Sequence, residues 1–257
     1  MNNRTNYETE AIVLRTLDYG ESDRIVTFYT TEFGKVKGIA KGARRSTKRF
    51  ANTLEPFSRL QLLFSRRRPE GLAFVEAGSV VNHYPRIRED LKKTLYASYL
   101  VDITDQFTLE NKTNPELFRL VNDFLELINQ GSVSEDIVRF FEMRLLRLVG
   151  YDPVLDRCVA CQRPVENGNM YHFSVRERGL KCGTCSPRDY DFLGVSTGTV
   201  KSMLLGKDLE REQLCRLVLS EQGASESRRF LERFITHLLG KEVKSLHVLR
   251  EIRELGI

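Results

Sequence analysis

No stretch of this chain strings together 18 apolar residues, and its opening, MNNRTNYETE, lacks the apolar run of a secretory signal. A spanning helix of about 20 apolar residues is thereby excluded, and a soluble, cytoplasmic chain is expected. With 17 glycines and 7 prolines in 257 residues, the composition also argues against wholesale disorder. The motifs H-E-x-x-H, G-x-S-x-G and G-x-x-x-x-G-K-[ST] are absent. Their absence removes the simplest warrants for metallohydrolase, serine-hydrolase and nucleotide-hydrolysing chemistry. Three of the histidines, His83, His237 and His247, read as structural. Glu21 and Asp23 form an acidic pair with no supporting carboxylates, whereas a metal-dependent nuclease needs several around an ion. No catalysis is expected.

What the chain does have is an uneven distribution of charge. Its net charge is +5, yet residues 1–80 carry fourteen Lys/Arg against nine Asp/Glu while residues 81–257 carry twenty-six of each. A surface for a polyanion would therefore lie in the first eighty residues. Five short runs in that region have strand texture: EAIVLRT, RIVTFYT, KVKGIAKG, FSRLQLLFS and LAFVEAGSVV. In RIVTFYT, Ile25, Thr27 and Tyr29 alternate with Val26, Phe28 and Thr30, the period of a pleated strand. Five strands with glycines near their bends fit a small, partly open Greek-key barrel of the OB type, although strand count alone also admits an SH3-like barrel.

After Pro85 the period changes to that of helices. Leu91, Leu95, Tyr99 and Ile103 recur every fourth residue; Asn114 and Pro115 open a second helix that stops at Gly131; Ser132 or Ser134 caps a third that ends at Gly150. Helical texture resumes at STGTVKSMLLG, LEREQLCRLVLSEQG, SESRRFLERFITHLLG and SLHVLREI. Cys215 falls on the second of these as a small buried hydrophobe. The expected architecture is α+β, with an OB-fold domain over residues 1–80 and a helical domain over 81–257. The helical domain carries an insertion at about 152–190.

That insertion places Cys158, Cys161, Cys182 and Cys185 in the pattern C-x2-C-x20-C-x2-C. Two such knuckles turn four thiolates toward one ion, which predicts a single structural Zn²⁺ with a filled tetrahedral shell. Four-cysteine iron is the competing metal, and redox pairs or unliganded thiols are the reading without metal. His172, between the knuckles, reads as a strand side chain.

Residues 35–68 hold Lys35, Lys37, Lys41, Arg44, Arg45, Lys48, Arg49, Arg59, Arg66, Arg67 and Arg68 against one acid, Glu55. On a five-stranded barrel the third strand with its outgoing loop, and the loop between the last two strands, can border one groove. Cations there would neutralise phosphates and release counterions. Phe28, Tyr29, Phe33, Phe50 and Phe57 are the nearby aromatics that could stack on bases, although each taken singly reads first as core. Such a groove does not separate DNA from RNA, so an RNA-binding module is the alternative reading and a metal-dependent nuclease a more distant one.

Two separated segments, IVLRTLDYGESDRIVTFYTTEFGKVKGIAKGARR and YDPVLDRCVACQ with RGLKCGTC, resemble the N-terminal barrel and the zinc segment of the bacterial recombination mediator RecO family. The resemblance implies binding of single- and double-stranded DNA, annealing of complementary strands, and loading of RecA on DNA coated by single-strand-binding protein. It also implies RecR as complex partner and a nucleoid-associated location. The basic residues it carries over are Lys35, Lys37, Lys41, Arg44 and Arg45, and the ligands are the four cysteines. Family members dock the tail of single-strand-binding protein on the helical domain. Arg144 and Arg147, flanked by Met143 and Leu148, are the candidates for that contact, because an acidic tail with an apolar end needs a cation beside an apolar pocket.

Overall fold

The computed structural model describes residues 5–46, 49–50, 52–68, 70–131, 134–186 and 193–254. Five strands, β1 (Thr5–Tyr19), β2 (Asp23–Thr30), β3 (Gly34–Ala40), β4 (Arg59–Arg66) and β5 (Ala73–Asn82), form a closed barrel in the order β1-β2-β3-β5-β4. The length of β1 makes closure possible. Its first half pairs with β4, Thr5 opposite Arg66, and its second half with β2, Tyr19 opposite Asp23, with a bulge between Val13 and Arg15 where it bends. The last seam is a short parallel pairing of β3 with β5, Gly38 opposite Ala73 and Ile39 opposite Phe74. Glycine is required there, since a Cβ on residue 38 would stand 2.7 Å from Val75 Cγ2. Inward alternation fills the barrel with Val13, Val26, Phe28, Val36, Leu60, Leu62, Phe64 and Val75.

Helices α1 (Pro85–Arg88), α2 (Leu91–Phe107) and α3 (Pro115–Gln130) follow. Asp90 caps α2 by accepting the amide of Lys93 at 3.0 Å, and Asn114 caps α3 by accepting that of Leu117 at 3.1 Å. Next come α4 (Glu135–Leu148), a small sheet of β6 (Met170–Ser174), β7 (Gly179–Lys181) and β8 (Gly194–Ser196), and then α5 (Thr197–Asp208), α6 (Arg211–Leu214), α7 (Glu221–Leu239) and α8 (Lys244–Glu254). The proposed cap Ser132 lies outside the described residues; Ser134 stands at the N-cap of α4 without a side-chain bond to it.

The expected helix over LEREQLCRLVLSEQG is a correction. Only α6 forms there, and a new helix starts after Ser220, whose hydroxyl accepts the amide of Gly223 at 3.1 Å. Leu214 and Leu219 are buried, but five residues apart they cannot share one helical stripe. Cys215 is accordingly exposed rather than buried.

The strand-to-helix change falls at Tyr84 and Pro85, while compactness divides the chain into Met1–Gln130 with Lys244–Ile257, and Gly131–Val243. The first unit holds the barrel, α1 to α3 and α8, whose Ser245 hydroxyl donates to Asp102 Oδ2 of α2 at 2.7 Å. In the second unit, α4 packs on α5 at Gly206, where a Cβ would lie 2.2 Å from Phe140 Cε1. Phe173 of β6 meets Phe230 and Phe234 of α7 at 4.9 and 5.4 Å between ring centres. Arg139 of α4, fully buried, pairs with Glu142 at 3.1 Å and lies 3.9 Å from Glu232 of α7.

Candidate nucleic-acid interface and cysteine cluster

The basic stretch begins as β3 and leaves the barrel at Ala40. Gly42, at φ 68°, takes the left-handed conformation that glycine adopts without strain and reverses the chain. The turn is tied to the β1–β2 hairpin: the Arg44 amide donates to Ser22 O at 2.9 Å, and the Gly42 amide to Asp23 Oδ1 at 2.9 Å. Lys41 Nζ sits 2.8 Å from Asp23 Oδ2. These contacts, the Lys41 ammonium foremost, hold the Asp23 carboxyl down at about 2.

Four cations decorate this turn and remain exposed. Lys41 is followed by Arg44, 3.5 Å from Asp18, and by Arg45, 3.7 Å from Glu21 and 73% exposed. Arg49 lies over the Phe50 ring at 4.6 Å and donates to Lys41 O. Exposed ion pairs of this kind contribute little to stability, so a phosphate can compete for the same donors. Lys48 lies outside the described residues.

The rest of the predicted set divides by environment. Lys35 points inward: its ammonium donates to Asp105 O at 2.7 Å and pairs with Asp105 Oδ1 at 3.0 Å, clamping β3 to the last turn of α2. Helix C-termini favour a cation there, and the lysine is withdrawn from the exposed cluster. Lys37 is exposed but pairs with Glu110 at 2.7 Å. Arg66 is shared among the rings of Tyr7, Phe33 and Phe64 at 5.3–5.6 Å and donates to Asn111 Oδ1 at 2.7 Å. Arg67 and Arg68 stand exposed on the loop that leads toward β5, which enters the barrel beside β3.

The candidate stacking residues are core side chains. Phe28, Tyr29, Phe50 and Phe57 are all at most 5% exposed, and Phe33 packs edge-on against Phe64. Burial also pushes the Tyr29 hydroxyl up to about 12. Among the described residues an aromatic that does face solvent is Tyr19, 55% exposed near the tip of the β1–β2 hairpin. Sequence reasoning passed over it, and over the exposed Arg15 on the same strand, although their i, i+2 and i+4 spacing with Leu17 marks one face.

The four cysteines come together as their spacing predicts. The sulfurs of Cys158, Cys161, Cys182 and Cys185 lie within 4.8 Å of one another, all as free thiols. The Cys161 and Cys182 sulfurs are 3.8 Å apart, the edge of a tetrahedron with metal–sulfur bonds of about 2.3 Å. β6 and β7 carry the chain from one knuckle to the other, and Val159 N donates to Leu180 O at 2.8 Å across them. Burial pushes the Cys158 thiol up, but the amides of Cys161, Cys182 and Ala160 outweigh it and hold the thiol near 6. The Cys182 thiol is drawn down by the Cys185 amide, while the Cys185 thiol, hydrogen-bonded to the sulfurs of Cys182 and Cys161, is pushed up to about 12. Thiolates aimed at one point and supported by amides fit a cation. His172 belongs to β6 opposite Lys181 and stands outside the cluster.

Arg144 and Arg147 are both engaged at the C-terminal end of α5. Arg144 donates to Gly206 O at 2.9 Å and to Leu209 O, and Arg147 donates to Asp208 Oδ1 at 2.6 Å. Met143 is wholly buried.

A closed OB barrel followed by a helical region with a four-thiol cluster places the chain among OB-fold proteins that carry a pair of cysteine knuckles able to hold a metal ion. Two family models match it, "Recombination protein O N terminal" over residues 1–84 and "Recombination protein O C terminal" over residues 88–247. The "DNA repair protein RecO" of Syntrophus aciditrophicus is 49% identical over the full length of both chains. Those of Geobacter metallireducens and Bacillus pumilus are 36% and 32% identical, covering 95% and 96% of this chain and 97% and 95% of their own. The chain belongs to the recombination protein O family. No described helix is long and apolar enough to cross a membrane.

Proposed function

We propose that this chain is a mediator of DNA repair and homologous recombination that acts by binding rather than by turnover. It holds single- and double-stranded DNA on the barrel, anneals complementary strands and helps RecA load on DNA coated by single-strand-binding protein. The observation that carries the reading is the exposed turn bearing Lys41, Arg44, Arg45 and Arg49, tied through Asp23 to the β1–β2 hairpin, in a chain of this family. Bound cations screen the repulsion between two phosphate backbones and leave base edges free to pair, which is the physical requirement for annealing. Arg67 and Arg68 extend the surface; Lys35 and Arg66 support the barrel beneath it.

The cysteine cluster would hold one Zn²⁺ through Cys158, Cys161, Cys182 and Cys185. Four thiolates leave no open coordination position, so the ion's role is to fix the two knuckles. RecR is the expected complex partner. For the tail of single-strand-binding protein, Arg147 is the better placed of the two arginines, because its partner Asp208 is 71% exposed and an incoming carboxylate can displace it. Arg144 holds the end of α5 instead.

The test is strand annealing with DNA precoated by single-strand-binding protein. Replacing Lys41, Arg44 and Arg45 together by glutamate should slow annealing at least about tenfold, the order expected when several phosphate contacts are lost. Annealing at the wild-type rate by that variant would overturn the assignment.

A further inference from the structure

Strand register assembles a surface from residues spread over some sixty positions. Leu17 lies opposite Ile25, Ile25 opposite Ile39, and Ile39 opposite Phe74. Direct cross-strand partners share a side of the sheet, so these four make one apolar row across β1, β2, β3 and β5. Their neighbours Val26, Val36, Ala40, Ala73 and Val75 fill the barrel interior, and the row is therefore on its outer surface. Leu17 is 46% exposed, and Ile25, Ile39 and Phe74 are half-buried.

A second row runs beside the first. Arg15 lies opposite Thr27, and Thr27 opposite Lys37, two residues from the apolar row on each strand. That step is about 6.7 Å, and three inter-strand spacings of about 4.8 Å make the apolar row about 14 Å long. Arg15 and Lys37 are exposed at the ends of this row, Thr27 between them is buried, and Lys37 pairs with Glu110 at 2.7 Å. Both rows lead into the basic loops: β3 passes from Ile39 to Lys41 and Arg44, and β5 is approached from Arg67 and Arg68 through Leu72, 49% exposed.

Exposed cations beside a line of apolar side chains match an unpaired nucleic-acid strand, which presents phosphates along one side and base faces along the other. A duplex keeps its base faces stacked inside and offers a flat apolar surface only phosphates and groove edges. Resting on the DNA-binding reading above, we infer that Leu17, Ile25, Ile39 and Phe74 form a platform for the bases of a single strand. The row then adds affinity only where bases are unpaired, while the loop cations serve both forms of DNA.

The experiment compares three fluorescent probes of equal length on the full-length protein: oligo-dT, the same backbone without bases, and duplex. Wild type should bind oligo-dT more tightly than the abasic strand. The double variant Leu17→Ser, Ile39→Ser should lose about fivefold or more for oligo-dT, within the range for losing base contacts on such platforms. It should bind abasic strand and duplex as wild type does, with an unchanged salt slope. The single variant Leu17→Ser, at a largely exposed position, should show a smaller loss in the same direction and keeps the test valid if the double variant is unstable. Unchanged oligo-dT binding by a folded Leu17→Ser, Ile39→Ser variant would overturn the platform, as would retained discrimination against abasic strand; the latter result would mark the row as a protein-docking surface. Equal loss for all three probes would also overturn it. Failure of wild type to bind any probe would instead overturn the DNA-binding reading.

Discussion

Asp23 engages both Lys41 and the residue after it: its Oδ2 meets the Lys41 ammonium at 2.8 Å, while its Oδ1 accepts the amide of Gly42 at 2.9 Å. One carboxylate thus fixes both the side chain and the turn that carries it. Its folded pKa, about 2, lies below the ordinary 3.8. Stability from this contact is therefore fully present above about pH 4 and fades as the pH falls toward 2. Carboxyl chemical shifts should give Asp23 a midpoint near 2, and an ordinary midpoint would show that the pin does not form. Asp23→Asn keeps an acceptor for Gly42 and removes the competing charge, so it should tighten DNA binding about two- to fivefold at low salt.

Lys35 and Lys41, six residues apart, should fail differently. Lys35→Gln leaves Asp105 without its ammonium partner and should destabilise the chain by about 3 kcal/mol, with little change in how DNA affinity depends on salt. Lys41→Gln should leave the melting temperature nearly unchanged and lower the salt slope by about 1. Thermal unfolding and salt titrations of binding separate the two, and identical behaviour would contradict the geometry.

Metal analysis of the purified protein should find about one zinc per chain. Chelation, or Cys161→Ser with Cys182→Ser, should lower the melting temperature by roughly 10 °C or more, since structural zinc contributes several kcal/mol to folding. Protein purified reduced and without chelator that contains no metal would refute the site.

Gly206→Ala should cost about 1–3 kcal/mol, because its Cβ would stand 2.2 Å from Phe140 Cε1. Adding Phe140→Leu should recover part of that loss. A double-mutant cycle by chemical denaturation reads the coupling, and strict additivity would show that the two residues do not touch.

The strands were legible because alternation survives in each, and the thiol cluster because its ligands lie close in sequence. Which side of a strand is covered is a different matter. Tyr29 alternates with Phe28 and should face outward, but its hydroxyl lies 3.5 Å from Asn114 O, 85 residues away, and the ring is buried. Lys35 belongs to a run of cations, and only its contact with Asp105 in α2 distinguishes it from Lys41. Arg66 likewise reads as a surface cation until Tyr7, Phe33 and Phe64 converge on it. The outer apolar row was hidden for the same reason, since Leu17, Ile25, Ile39 and Phe74 share no local pattern and meet only through register.

The return of α8 to the first unit has a consequence for synthesis. The barrel-bearing unit cannot be completed until α8 has left the ribosome, after some 110 residues of the other unit have been made. At about 5–20 residues per second the nascent chain waits roughly 6–22 s with the α8-binding face of α2 uncovered. Until then Asp102 lacks Ser245, so the ribosome or a chaperone has a time window in which to hold that face.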